Sequence, residues 1–174
     1  MKKQSKKALR WFIFILAISF SKNTRAQGDP TDSLPGDPGA IYVYTTQNLK
    51  FGAFTQGASG GTVAITSGGS RSVTGTVVAL NLGVTYYQAT FEVEAAAGSL
   101  ISITNGADAT LTGSNGGSIT LHIGSSSPGS PFNTTVSPPS TTQVNIGGTI
   151  TVGNSAAAPP GAYSGTFSVT FNSE

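Results

Sequence analysis

The sequence predicts an all-β protein, two antiparallel sheets packed as a sandwich, and three observations carry that prediction. From Ala40 onward apolar and polar residues take turns with a period of two, and helical spacing is almost absent. Glycine-rich punctuation recurs between the short runs, at residues 57–61, Gly68-Gly69, Asn105-Gly106 and Asn115-Gly116-Gly117. There is no cysteine, so cohesion must come from packing, and disulfides, thiolate catalysis and thiolate metal sites are excluded together.

The chain opens on a leader. Of nine Lys and Arg residues, seven lie within the first 25 positions. Lys2, Lys3, Lys6, Lys7 and Arg10 precede an apolar run over 11–20, broken only by Ser19. Thr24-Arg25-Ala26 then sets small residues at −3 and −1 before Gln27. This pattern predicts a secretory signal peptide over 1–26, cut between Ala26 and Gln27. The apolar run is about half the ~20 residues that span a bilayer, so no membrane span is expected after cleavage. The expected destination is the periplasm, the outer surface or the extracellular space.

Removal of 26 of the 174 residues leaves 148, a length that suits one domain. The formal charge of +2 then becomes −5, because only Lys50 and Arg71 remain against Asp29, Asp32, Asp37, Glu92, Glu94, Asp108 and Glu174. Two cations cannot answer a run of phosphates, which excludes nucleic acid as a partner, and attraction to anionic lipid fails likewise. Residues 27–39 hold three prolines, three aspartates and one large apolar side chain, Leu34, and read as a flexible arm. The single sandwich domain is expected over 40–174.

Four strands read most clearly. In 87–95, Tyr87, Ala89, Phe91, Val93 and Ala95 face one way and Gln88, Thr90, Glu92 and Glu94 the other. In 118–124, Ile119, Leu121 and Ile123 oppose Ser118, Thr120 and His122. In 142–152, Val144, Ile146, Ile150 and Val152 share a face, with Gly147-Gly148 where a bulge or bend would fit. In 163–171, Tyr163, Phe167, Val169 and Phe171 alternate with Ser164, Thr166, Ser168 and Thr170. Weaker strands read at 40–46, 49–54, 62–66, 71–82, 99–104 and 109–112, and 125–140 is the one long loop. Asn-Gly pairs between alternating runs signal hairpins, because both residues tolerate positive φ.

Candidate chemistry is sparse. His122 falls on a polar strand face with no serine–histidine–carboxylate neighbourhood visible in the sequence. Glu92 and Glu94 stand side by side on one strand, with Cα atoms about 6.6 Å apart, whereas glycosidase carboxylates flank a cleft from opposing elements. Asn105-Gly106-Ala107-Asp108 offers too few oxygens for calcium and reads as a turn. No catalytic residue, metal ligand or cofactor is expected. Asn133-Thr134-Thr135 matches an N-glycosylation acceptor, and Asp32-Ser33-Leu34 is similar to a bacterial O-glycosylation acceptor that would modify Ser33. Exposed aromatics suited to stacking on sugar are limited to Tyr42, Tyr44, Tyr86 and Phe132.

Four ordered stretches resemble a bacterial secreted family known as domain of unknown function 4402. They are Thr46-Gln47-Asn48-Leu49-Lys50-Phe51-Gly52-Ala53-Phe54; Gly60-Gly61-Thr62-Val63 with Gly69-Ser70-Arg71-Ser72-Val73-Thr74-Gly75; Gly147-Gly148-Thr149-Ile150-Thr151-Val152-Gly153; and the run 163–171. The resemblance covers about 41–174. It implies a Gram-negative source and no assigned enzymatic activity. The pattern is also similar to subunits of common-pilus and spore-coat-U type fimbriae. It therefore implies an immunoglobulin-like, fimbrial-subunit-like antiparallel β-sandwich, completed by a strand from a neighbour. The edges expected to share strands are Ile41 and Val43 at one end and Phe167, Val169 and Phe171 at the other. Partners would be further copies of the chain, or a periplasmic chaperone and usher. The departure from fimbrial subunits is the arm 27–39, whose Pro30, Pro35 and Pro38 make it a poor donor strand. A carbohydrate- or surface-binding module is the alternative expectation.

Overall fold

The structure is a computed structural model that describes residues 40–174 together with the two-residue strand Ile15–Leu16. The signal cleavage site at Ala26 and Gln27, the arm 27–39 and Ser33 lie outside the described residues. The strands run in order β1 (Ile15–Leu16), β2 (Tyr42–Gln47), β3 (Lys50–Phe51), β4 (Phe54–Thr55), β5 (Gly61–Ile65), β6 (Arg71–Val73), β7 (Val78–Ala79) and β8 (Tyr86–Tyr87). They continue with β9 (Ala89–Glu94), β10 (Leu100–Asn105), β11 (Ala109–Gly113), β12 (Ser118–Ser127), β13 (Phe132–Asn133), β14 (Thr142–Val152), β15 (Ala162–Ser164) and β16 (Val169–Ser173). The described residues contain no helix, and the fold is the expected all-β sandwich.

β14 is the spine of the larger sheet. One side of it pairs with β12. Its other side is divided, with residues 142–146 on β9 and 148–152 on β5. The division falls at Gly147, whose hypothetical Cβ would stand 2.4 Å from the Ile65 carbonyl oxygen. Opposite it, β12 carries a bulge, so Gly124 and Ser125 fit between the pairs Ile123–Gly148 and Ser126–Ile146. The irregularity expected at Gly147-Gly148 is present, but the extra residue sits on the partner strand. Outward from this spine, β12 pairs β11, which pairs β15, which pairs β1 in parallel; β9 pairs β2 and β5 pairs β6.

A second layer of β13, β10 and β16 lies across the first. Asn105 on β10 donates to the Gly124 carbonyl of β12 at 2.9 Å, and the Phe171 ring on β16 meets Phe91 of β9 at 5.5 Å. These contacts place β10 toward β12 and β16 toward β9. Thus β2 and β16 are the last strands of their layers on the same flank. Between the layers, Leu49, Phe51, Phe54, Val63, Ile101, Leu111, Leu121, Ile146 and Ile150 are at most 1% exposed. Each such side chain contributes roughly 1.5–3 kcal/mol by leaving water.

Several expected strands are broken, each for a local reason. Residues 163–171 do not form one strand. The backbone leaves β15 at Gly165 and re-enters as β16 in the other layer, which works because a Cβ at Gly165 would press the Thr110 carbonyl oxygen at 2.6 Å. Residues 87–95 divide at Gln88, whose carbonyl accepts from the Gln47 amide at 2.9 Å; Tyr87 is 39% exposed and does not join the core face. Runs 49–54 and 71–82 divide at Gly52 (φ 73°) and Gly75 (φ 67°). Asn105-Gly106 joins two layers and is not a hairpin, whereas Asn115-Gly116-Gly117 does close the β11–β12 hairpin. Within 125–140, β12 extends to Ser127 and Phe132 is buried in β13.

Gly147→Ala should lower the stability of the folded domain by about 1–3 kcal/mol, through forced displacement of β5 from β14. Urea unfolding of the mature chain checks this, with Gly129→Ala, whose Cβ would meet nothing within 4 Å, as the neutral control.

Candidate functional site

The polar sides of the strands carry what chemistry the domain has. On β9, Glu92 and Glu94 alternate with buried Phe91 and Val93 and share the outer face, as expected. Glu92 accepts from the Thr141 hydroxyl at 2.6 Å and the Gln143 amide at 3.3 Å, and Glu94 accepts from the Tyr44 phenol at 3.4 Å. Both carboxylates are thus held by neighbours on β14 and β2, side by side on an open sheet. Thr90, expected on this same polar face, is only 6% exposed. It accepts from the Gln47 amide at 3.4 Å and donates to Asn145 at 3.0 Å, a polar chain across three strands that satisfies its hydroxyl.

The β2–β9 pair continues as a two-stranded ribbon into the β3–β8 pair, which carries Lys50 and is reached by Arg71 from β6. Lys50 stands opposite Tyr87 in the β3–β8 pair. Arg71 donates through Nη1 to the Phe51 and Ala53 carbonyls, both at 3.2 Å, and its guanidinium lies 4.4 Å from the centre of the Tyr86 ring. Gly52 makes this possible, since a Cβ there would meet Arg71 Nη1 at 2.6 Å. Arg71 therefore pins the 51–53 turn. Sequence reasoning assigned Arg71 no role, although its place in a glycine-flanked run was visible.

His122 is not alone. Its Nδ1 lies 2.7 Å from Asp108 Oδ1, across the β11–β12 pair, with side chains 71% and 54% exposed. An ion pair so open to water contributes about 0–1 kcal/mol. Asp108 is thereby engaged with His122, and Asn105 with β12, so the stretch 105–108 converges on no common point. Among the described residues no three His, Asp or Glu side chains gather as a metal site. Of the expected aromatic candidates, Tyr44 and Tyr86 are 50% and 40% exposed, Tyr42 is half-buried, and Phe132 is withdrawn into the core at 9%. Ile41, Val43, Phe167, Val169 and Phe171 are half-buried and pack on the core from its rim.

Tyr163 is 1% exposed and donates to the Pro159 carbonyl at 2.5 Å. Burial raises its phenol above the ordinary value of 10.0; loss of hydration and then the Glu94 carboxylate raise that of Tyr44. A raised folded-state value means stability that is complete below about pH 10 and is lost as pH climbs through the folded value. Urea midpoints should therefore be level to about pH 10 and fall above it. Tyr163→Phe should flatten that fall, at a cost of about 1 kcal/mol at neutral pH from the lost hydrogen bond.

No curated protein and no solved structure matches the chain. Residues 41–172 match the family described as Domain of unknown function (DUF4402), from just before β2 into β16. That match spans both layers, the ribbon and its rim. The chain belongs to this family.

Proposed function

We propose that this is an exported, non-enzymatic structural protein of the periplasm or cell surface, an immunoglobulin-like sandwich of fimbrial-subunit type that assembles by sharing β-strands. One observation carries the reading: among the described residues, two strands on the same flank, β2 and β16, each have one sheet partner and each bear half-buried apolar side chains. Uncharged edge strands of this kind template pairing with another chain. β15 supports it further, because its outer side pairs in parallel with Ile15–Leu16 of the expected leader. Cleavage after Ala26 would vacate that side. The incoming strand would come from a further copy or from a periplasmic chaperone and usher. The segment 40–46 would share its outer edge, since β2 is paired with β9 on its inner side and the proline-broken arm is unsuited as a donor.

Mature protein should sediment as concentration-dependent oligomers and give filaments by negative-stain microscopy. Val43→Lys and Val169→Lys, checked by circular dichroism for an unchanged fold, should each suppress assembly. A mature chain that stays strictly monomeric at high concentration sinks this reading.

A second reading, a carbohydrate- or surface-binding module, is favoured by Tyr44, half exposed beside the Glu94 carboxylate on an open sheet face. Ring stacking with carboxylate hydrogen bonds would hold a neutral sugar there. A glycan array should then show binding that Tyr44→Ala abolishes, and an array without signal removes the reading.

A further inference from the structure

Charge in the described domain is divided along one two-stranded ribbon. The antiparallel β2–β9 pair runs from Tyr42–Glu94 to Gln47–Thr90, and the β3–β8 pair follows with Lys50–Tyr87 and Phe51–Tyr86. One end carries Glu92 and Glu94 beside exposed Tyr44. The other carries Lys50 beside exposed Tyr87, while Arg71, the one other Lys or Arg among the described residues, reaches it from β6 beside exposed Tyr86. From Glu94 to Tyr87 the strand advances about 23 Å.

The one ion pair among the described residues is His122–Asp108, so neither Lys50 nor Arg71 meets a carboxylate of a described residue. Arg71 is held by two carbonyls and a ring, which orient the guanidinium without neutralising it. Exposed apolar surface collects at the same end: of five large exposed hydrophobic side chains, four lie within 78–87. The fifth is Tyr44, at the acidic end. Among the described residues, each end thus joins charge without an opposite partner to exposed tyrosine, Glu92 and Glu94 with Tyr44 at one and Lys50 with Tyr87 at the other.

We infer that these two ends bind one another between copies of the chain, head to tail. Glu92, Glu94 and Tyr44 of one copy would seat against Lys50 and Tyr87 of the next, which share one face of the β3–β8 pair. The contact matches carboxylates to a cation and places rings of both copies against each other. Because the two patches sit at opposite ends of the ribbon, the contact is heterologous and can repeat without closing. It rests on the self-assembly reading above, but it uses strand surfaces rather than the backbone edges of β2 and β16.

Charge exchange tests it on the mature chain. In sedimentation velocity at low salt, Lys50→Glu alone and the Glu92→Lys, Glu94→Lys pair should each weaken association roughly tenfold. The triple variant carrying all three changes should regain most of it. High salt should weaken wild-type association and relieve the repulsion in the single-end variants, bringing both toward a common level. Lys50→Met, which removes charge without reversal, should fall between. Association that ignores salt and charge, yet is lost in Val43→Lys, overturns this inference and leaves strand sharing standing. A wild type that never associates overturns both. A closed dimer as the only product, or retention by polygalacturonate in a gel with no self-association, also overturns it.

Discussion

β14 serves three neighbours with one backbone, and the larger sheet depends on how that is managed. A strand has two sides for hydrogen bonding, so a third partner requires one side to be shared in succession. β9 takes the first five residues and β5 the last five, and the two must diverge at the residue between them. Divergence brings the Ile65 carbonyl and the Thr66–Ser67 peptide so near Gly147 that no side chain fits. The bulge on β12 follows, because a strand that bends at Gly147 needs extra length on its far side. The fork sends β5–β6 one way and β9–β2 the other. The ribbon bearing Glu92, Glu94 and Lys50 is therefore a branch of the sheet and not a continuation of it, and Arg71 reaches it from β6 on the other branch.

Scarcity of charge governs the polar interactions. With two Lys or Arg residues among those described, ion pairs cannot tie the strands together. Their place is taken by Thr, Asn and Gln: Gln47, Thr90 and Asn145 link three strands, Thr62 and Thr74 bond at 2.7 Å between β5 and the turn after β6, and Asn105 bridges the layers. Neutral bonds of this sort each contribute about 0.5–1.5 kcal/mol and are insensitive to salt. Arg71 acts in the same manner, as a donor to carbonyls more than as a charge.

Period-two alternation made most of the core legible, because each inward residue from Ala89 to Val93, Ile119 to Ile123 and Val144 to Val152 obeys it. Alternation is blind to which sheet a strand joins, however, and so residues 163–171 read as one element although they cross between layers at Gly165. The cross-layer passage at Asn105-Gly106 was hidden for the same reason: an Asn-Gly pair has local turn chemistry whether or not its flanking strands are neighbours. Tyr87 and Thr90 both departed from their expected faces where the Gln47 side chain bonds Gln88 and Thr90, contacts 41 and 43 residues distant. The pairing of His122 with Asp108 required the β11–β12 register, which no spacing in the sequence reveals. Scarcity of cations was plain from composition; the reach of Arg71 from β6 to the ribbon was not.

The passage from β15 to β16 also serves both layers. Residues 162–164 finish the edge of one layer against β11, and 169–173 finish the other against β10. The Glu174 amide adds a bond to Leu100, some seventy positions upstream. Neither layer is complete without residues 162–173, and this stretch acts as the clasp that shuts the sandwich.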